Sequence, residues 1–283
     1  MDAVFSTPGT GVGAASHDPG MTQHSRAATG KAATGKTVAI TGASGALGQA
    51  LLQEWHRRGA QLIALCAGDR PLDLRDSNGA PIPLRQVQWC AGQENALRPL
   101  LAEVDVLVIN HGINVHGART PEAVSSSLEV NALSGWRLLE LFASVVRERQ
   151  ALEANGTAAV HGQPEVWLNT SEAEIQPAVS PLYEISKRLI GQLLSLRALD
   201  LGRELTLRRL VLGPFRSALN PVGLMSPGFV ASQVLWQAEL GFRLIIVTPN
   251  PLTYVLMPLT TVGRWLYYSL FSRGSAREPA GPC

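Results

Sequence analysis

Residues 36–59 read KTVAITGASGALGQALLQEWHRRG, and this stretch decides the fold. A short apolar run, Thr37–Thr41, ends in a glycine-rich turn that opens directly into a helical pattern from Ala46. Strand, turn and helix in that order set the N–H groups of a helix N-terminus at the end of a sheet, where they face an anion. Gly42 allows the tight turn, Gly45 lets the backbone approach a pyrophosphate, and Gly48 lets helix and strand lie close together. Ser44, Ala46 and Leu47 fill the remaining places of this candidate phosphate cradle. A glycine pattern alone is a weak signal, and its strand–turn–helix setting is what gives it weight.

Outward from this unit, apolar runs alternate with helical stretches. Strands are expected at Thr37–Thr41, Gln61–Cys66, Val87–Trp89, Val104–Asn110, Val166–Asn169, Leu205–Leu212 and Leu244–Val247. Several are nearly continuous Val/Ile/Leu runs, as strands buried on both faces require. Helices are expected at Ala46–Arg58, Asn95–Ala102, Pro121–Arg149, Leu182–Leu201 and Pro227–Glu239. The pattern predicts a doubly wound, Rossmann-type α/β fold: one mostly parallel seven-stranded sheet in a single domain over residues 37–250.

With 283 residues, 46% hydrophobic and 16% charged, the chain can bury a sizeable core. A net charge of +2 with no basic block argues against nucleic acid as a partner. Cys66, Cys90 and Cys283 lack metal-ligand spacing and leave an odd thiol, which fits reduced cysteines in a cytoplasmic protein. Residues 1–36 are rich in Gly, Ala, Ser and Thr without apolar periodicity and read as a flexible tail or linker. Within it, GKAATGKT (30–37) matches the phosphate-loop pattern literally, but a strand follows it where that chemistry needs a helix.

The second informative stretch is SPLYEISKRLIGQLL, with Tyr183 and Lys187 four residues apart on one face of a helix. A phenol titrates near ~10 in water, and a neighbouring cation favours its ionised form, making it a usable acid–base group. Combined with the glycine turn, these residues resemble the short-chain dehydrogenase/reductase family from about Lys36 to Val247. Asn110 and Gly112 in VLVINHGIN fall where that family carries its Asn-Ala-Gly segment. Asn131 in SLEVNALSGW and Ser171 in VWLNTSEAE match the other members of its Asn–Ser–Tyr–Lys tetrad. Gly213 and Pro214 stand, reversed, where the family has Pro-Gly after its sixth strand. There are further departures. His111 replaces the usual Ala, the glycine spacing is G-x-x-G-x-x-G, and the serine spacing leaves Thr170 as an alternative to Ser171.

The resemblance implies an NAD(P)-dependent oxidoreductase moving a hydride between nicotinamide and a carbonyl or alcohol carbon. Tyr183 would exchange the proton and Lys187 would lower the phenol pKa and hold the nicotinamide ribose. Ser171 would polarise the substrate oxygen, and Asn131 would place a water beside Lys187. The rival reading is a non-catalytic dinucleotide-binding scaffold or redox sensor. The second strand ends LCAGDR, with Cys66 at the place that discriminates the two dinucleotides. Asp69 suits a ribose hydroxyl and Arg70 a 2′-phosphate, and the choice leans to NADP over NAD.

No metal site is expected: His111 and His116 read as polar lining of the cofactor cleft. Glu172 and Glu174 are either substrate contacts or rim residues. Leu139, Leu141, Phe142 and Val145 on one helix, and Leu189, Leu193, Leu194 and Leu196 on another, suggest second apolar faces and hence a homodimer or homotetramer. The segment 251–283 is apolar, and its stretch 252–272 carries one charge, Arg264. It approaches the ~20 residues of a membrane span but is interrupted by Pro258 and Gly263, so peripheral membrane contact competes with an apolar cover over the pocket or a subunit. The substrate is expected to be a hydrophobic small-molecule carbonyl or alcohol.

Overall fold

The structure, a computed structural model, describes residues 35–156, 162–202 and 204–272. The tail 1–36 and its phosphate-loop pattern fall almost wholly outside these residues, as does Cys283. Seven parallel strands form one sheet: β1 (Thr37–Thr41), β2 (Gln61–Cys66), β3 (Arg85–Gln88), β4 (Val106–Ile109), β5 (Glu165–Ser171), β6 (Thr206–Leu212) and β7 (Leu244–Val247). Their spatial order is β3-β2-β1-β4-β5-β6-β7, and every pairing is parallel. The order reverses between β1 and β4, and the crevice outside the carboxyl ends of the strands at such a point is where ligands bind.

Alternate residues of a strand face opposite sides, and both sides here are buried. Val38 and Ile40 of β1 join one core with helices α1 (Ala46–Arg57) and α6 (Pro227–Glu239). Ala39 joins the other, with α4 (Ser134–Ala154) and α5 (Pro181–Leu201). The continuous apolar runs in the sequence follow from this double burial.

Two helices differ from expectation. In place of Asn95–Ala102 there is a 3₁₀ turn, Glu94–Leu97, and one α-turn, α2 (Arg98–Leu101), because Pro99 is tolerated only in a first turn. The expected single helix Pro121–Arg149 is α3 (Pro121–Leu128), a wider π-turn over Glu129–Leu133, and α4, which runs on to Ala154. The π-turn inserts an extra residue where Asn131 must reach the loop after β4, and such bulges recur at functional sites.

The second apolar face expected on α4 is absent as a surface. Leu139, Leu141, Phe142 and Val145 are all buried in this chain's own core, and α4 packs against both α2 and α5. On α5, Leu194 is buried and Leu196 is exposed, and α7 (Thr253–Phe271) packs against the same helix. The four α4 residues that suggested self-association are covered within this chain, whereas on α5 Leu189 and Leu193 are half-buried and Leu196 is exposed. Cys66 and Cys90 are free thiols, the first buried and the second exposed.

Candidate active site

The glycine turn is built as its spacing requires. Gly42 has φ +62°, and a Cβ there would sit 2.8 Å from His111 Cα. A Cβ on Gly48 would lie 2.3 Å from the Gly42 carbonyl oxygen, so α1 can approach the turn only with glycine at that position. The N-cap of α1 is Gly45, which offers no side chain to the first N–H groups of the helix. Ser44 and Gly45 are exposed beside them. Open N–H groups at a helix N-terminus, with no Cβ in the way, fit the pyrophosphate of a dinucleotide.

The end of β5 supplies the chemistry. Ser171 is the last residue of the strand, two beyond the expected end, and its Oγ caps the following turn by accepting from the Ala173 N–H at 3.2 Å. Its hydroxyl donates to the Leu212 carbonyl at 3.4 Å and lies close enough to the Tyr183 phenol to oppose the upward shift of its pKa. Thr170 points elsewhere, with its Oγ1 donating to the Leu210 carbonyl at 3.2 Å in the buried interior. The geometry therefore selects Ser171 as the hydroxyl beside the phenol. Lys187 Nζ donates to the Asn169 carbonyl at 3.1 Å and lies 5.6 Å from the centre of the Tyr183 ring.

Burial dominates the electrostatics. It depresses Lys187 to about 8 against the pull of Glu174. The Tyr183 phenol is pushed up: burial and the Glu172 carboxylate outweigh the Ser171 hydrogen bond. The expected lowering of the phenol by Lys187 is not what this arrangement produces, because the ammonium lies over the ring and is spent on Asn169.

Asn169 is a residue that sequence reasoning missed. Its Nδ2 donates to Asn110 Oδ1 at 2.9 Å, and Asn110 Nδ2 in turn reaches the Gly42 carbonyl at 3.5 Å. A continuous polar path thus joins Lys187 to the glycine turn. Asn131 grips the loop after β4: Oδ1 accepts from the Ile113 N–H at 2.8 Å, and Nδ2 donates to the Ile113 carbonyl at 3.0 Å and to Ser186 Oγ at 3.1 Å. Gly112 is small for the same reason, since a Cβ would lie 3.1 Å from Asn131 Oδ1. Gly213 packs under Thr248, and the Pro214 carbonyl closes the loop after β6 by accepting from Leu224 and Met225. Arg70 stays exposed in the loop after β2, with its carbonyl bound by Gln86.

Glu174 is neither a substrate contact nor a rim residue. Its side chain is fully enclosed and holds Arg264 of α7 at 2.9 Å and Arg209 of β6 at 3.5 Å. Gly191 on α5 makes room for it, because a Cβ there would fall 1.9 Å from Glu174 Oε2. Glu172 is likewise engaged, accepting from Thr248 at 2.7 Å and Thr253 at 3.2 Å.

His111 lies beneath the glycine turn, with Nδ1 at 2.8 Å from Thr41 Oγ1 and Nε2 bonded to Ser134 Oγ. Burial, then the Lys187 charge, depresses it from 6.5 to about 4. Between those values the unfolded chain takes up a proton that the folded chain refuses, so stability is intact above 6.5 and lost as pH falls through the window. Urea unfolding should show a loss on the order of 3 kcal/mol between pH 7 and 4 from this residue. His111→Ala should flatten that slope; an unchanged slope would refute the assignment.

Comparison with known proteins places the chain in a family. Residues 38–218 match the NAD dependent epimerase/dehydratase family. A monoglucosyldiacylglycerol epimerase from Synechocystis is 46% identical over 241 residues, covering 85% of this chain. This chain spans 56% of that relative's length. The fold is shared with a short-chain dehydrogenase from Sphingobium yanoikuyae in complex with NADPH, at TM-score 0.66 and 18% identity over 86% of this chain and 100% of that one. It is shared too with a short-chain dehydrogenase from Burkholderia cenocepacia in complex with NADP, at TM-score 0.64 and 16% identity over 85% and 99% of the chains. The cofactor class expected from the glycine turn, a nicotinamide dinucleotide, is that of the matched family. With that match extending from the first strand past the end of β6, the chain belongs to the NAD dependent epimerase/dehydratase family, a branch related to the short-chain dehydrogenases.

Proposed function

We propose that the chain is a nicotinamide-dependent epimerase that inverts a secondary alcohol on the sugar of a glycosylated lipid. The observation that carries the reading is the Ser171–Tyr183–Lys187 cluster, joined through Asn169 and Asn110 to the glycine turn. Support for an epimerase over a net dehydrogenase comes from the 46% identical glycolipid epimerase.

The chemistry that the nicotinamide supplies when bound is reversible hydride exchange with an alcohol carbon. As the phenolate, Tyr183 would take the hydroxyl proton as the carbon loses its hydride and becomes a ketone. It gives the proton back when the hydride returns to the opposite face, so atoms and electrons balance with no net redox change. The raised phenol pKa suits the return step, in which Tyr183 is the acid. Ser171 Oγ, held by the end of β5, donates to the same oxygen. Lys187 and Asn169 keep the polar path to the turn closed, and Asn131 fixes the loop that floors the site.

The test uses glucosyl diacylglycerol in mixed micelles with NAD or NADP, followed by stereochemical analysis of the released sugar. A second sugar epimer without accumulating reduced dinucleotide is expected. Stoichiometric reduction with no new epimer would make the chain a dehydrogenase, and tight dinucleotide binding with neither outcome would make it a scaffold. Cofactor choice rests on Arg70: Arg70→Ala should weaken NADP by about tenfold, one charge-assisted contact's worth, and leave NAD unchanged. Equal loss of both would remove Arg70 from the site.

A further inference from the structure

Helix α7 is amphipathic the wrong way round for water. The residues it turns toward its own domain are Thr253, Met257, Thr261, Arg264 and Tyr268, spaced along one stripe, and only Met257 is aliphatic. Polar bonds hold this stripe down. Thr253 Oγ1 accepts from Gln176 at 2.8 Å, Arg264 reaches Glu174 at 2.9 Å, and the Tyr268 hydroxyl donates to Gln192 at 2.9 Å. The outward face is Leu259 (65% exposed), Val262 (55%), Trp265 (55%), Leu266 (48%) and Leu270 (76%). A helix in water normally buries its apolar side, so the medium or partner meeting this one is apolar.

The same character continues at the mouth of the site. Val179, in the loop between Ser171 and Tyr183, is fully exposed, and Val222, Leu224 and Phe229, in and just beyond the loop after β6, are exposed as well. These loops leave the carboxyl edge of the sheet, and Glu172 ties that edge to the start of α7 through Thr253. Stretches 175–182, 213–229 and 252–272 contain no acidic residue. Their two charges are Arg216, which is exposed, and Arg264, which is turned inward and neutralised by Glu174. A surface without carboxylates, with one exposed cation, and with Trp265, Tyr254 and Tyr267 spread along it, matches an anionic or zwitterionic lipid headgroup layer. No helix among the described residues is long and apolar enough to cross a membrane.

We infer that α7 and the apolar rim of the mouth form one docking surface for a lipid bilayer, on which the domain lies with its active site facing the headgroups. The surface itself stands on exposure and charge. That it presents the site to a membrane-resident glycolipid rests on the proposed reaction. On that footing the sugar reaches Tyr183 while the acyl chains stay in the bilayer, with Arg264–Glu174 holding α7 flat beside the mouth.

The experiment is flotation of the full chain with phosphatidylcholine vesicles doped with phosphatidylglycerol and containing no glycolipid. The wild-type chain should float with the vesicles and its Trp emission should shift to the blue. Leu259→Glu with Val262→Glu should reduce the partition coefficient at least tenfold while dinucleotide binding is retained. Trp236→Glu, at an exposed position of α6 outside the three stretches, should leave partitioning unchanged. Should the α7 pair misfold, Leu270→Glu with Phe271→Glu at the helix end carries the same expectation. Wild-type chain that ignores the vesicles, or α7 variants that float as well as wild type, would overturn the proposal. So would a wild-type dimer in sedimentation equilibrium that the α7 pair splits without any vesicle uptake, since the occupant would then be a second copy. Vesicle binding by a chain that epimerises no glycolipid would support the surface and remove only the reaction.

Discussion

Changing Tyr183 to phenylalanine is expected to cut turnover by about 10²–10⁴-fold, the usual contribution of a positioned acid–base group. The ring of Tyr183 is half-buried beside Ser171 and Lys187, and phenylalanine fills the same space, so the fold and dinucleotide affinity should survive. What disappears is the proton that must leave the alcohol and return to the ketone. Lys187→Ala differs: it cuts the bond to Asn169 and with it the path to the glycine turn, so turnover and dinucleotide affinity should fall together. Full activity in the Tyr183→Phe protein, with affinity unchanged, would end the mechanism.

The largest effect on stability is expected at Glu174. Glu174→Gln keeps the volume but withdraws the carboxylate that faces both Arg209 and Arg264 in a closed space. Arg209 is already pushed down by burial, with Glu174 opposing the shift. Removing one partner of a buried charge cluster costs about 3–5 kcal/mol because the remaining charge is uncompensated. The urea midpoint should drop accordingly with an unchanged slope. A loss below about 1 kcal/mol, the worth of an exposed pair, would mean that water reaches the cluster. Since Glu174 holds Arg264 of α7, the same variant should also loosen α7 and expose it to protease.

Most of the sheet was legible because β1, β2 and β7 are continuous apolar runs, and all three appear with the expected ends. Strand β3 lies at the sheet edge with mixed burial, RQVQ, so its polar first residues gave no apolar signal and it begins earlier than expected. The break between α3 and α4 was invisible because Asn131 forces it by bonding Ile113, a contact made across 18 residues. The apolar positions on α4 that suggested a partner subunit are buried in this chain's own core, and periodicity cannot tell these two kinds of cover apart. The glycine turn and the Tyr183/Lys187 pair are local spacings and could be read directly. Asn169 and Glu174 could not: each acts through partners that only the fold brings near, Arg264 being 90 residues from Glu174. The direction of the phenol shift was also out of reach, because it depends on how deeply the ring is enclosed.

The order of the strands has a consequence for synthesis. Val38 registers against Leu62 on one side and Val106 on the other, and no two strands form a hairpin. A nascent chain can therefore complete β1–α1–β2 early, while the opposite edge of β1 waits for Val106–Ile109 to leave the ribosome. During that interval an apolar edge with open N–H and C=O groups is available to any other nascent strand. Yield should accordingly depend on chaperone supply and growth temperature more than on the stability of the finished protein.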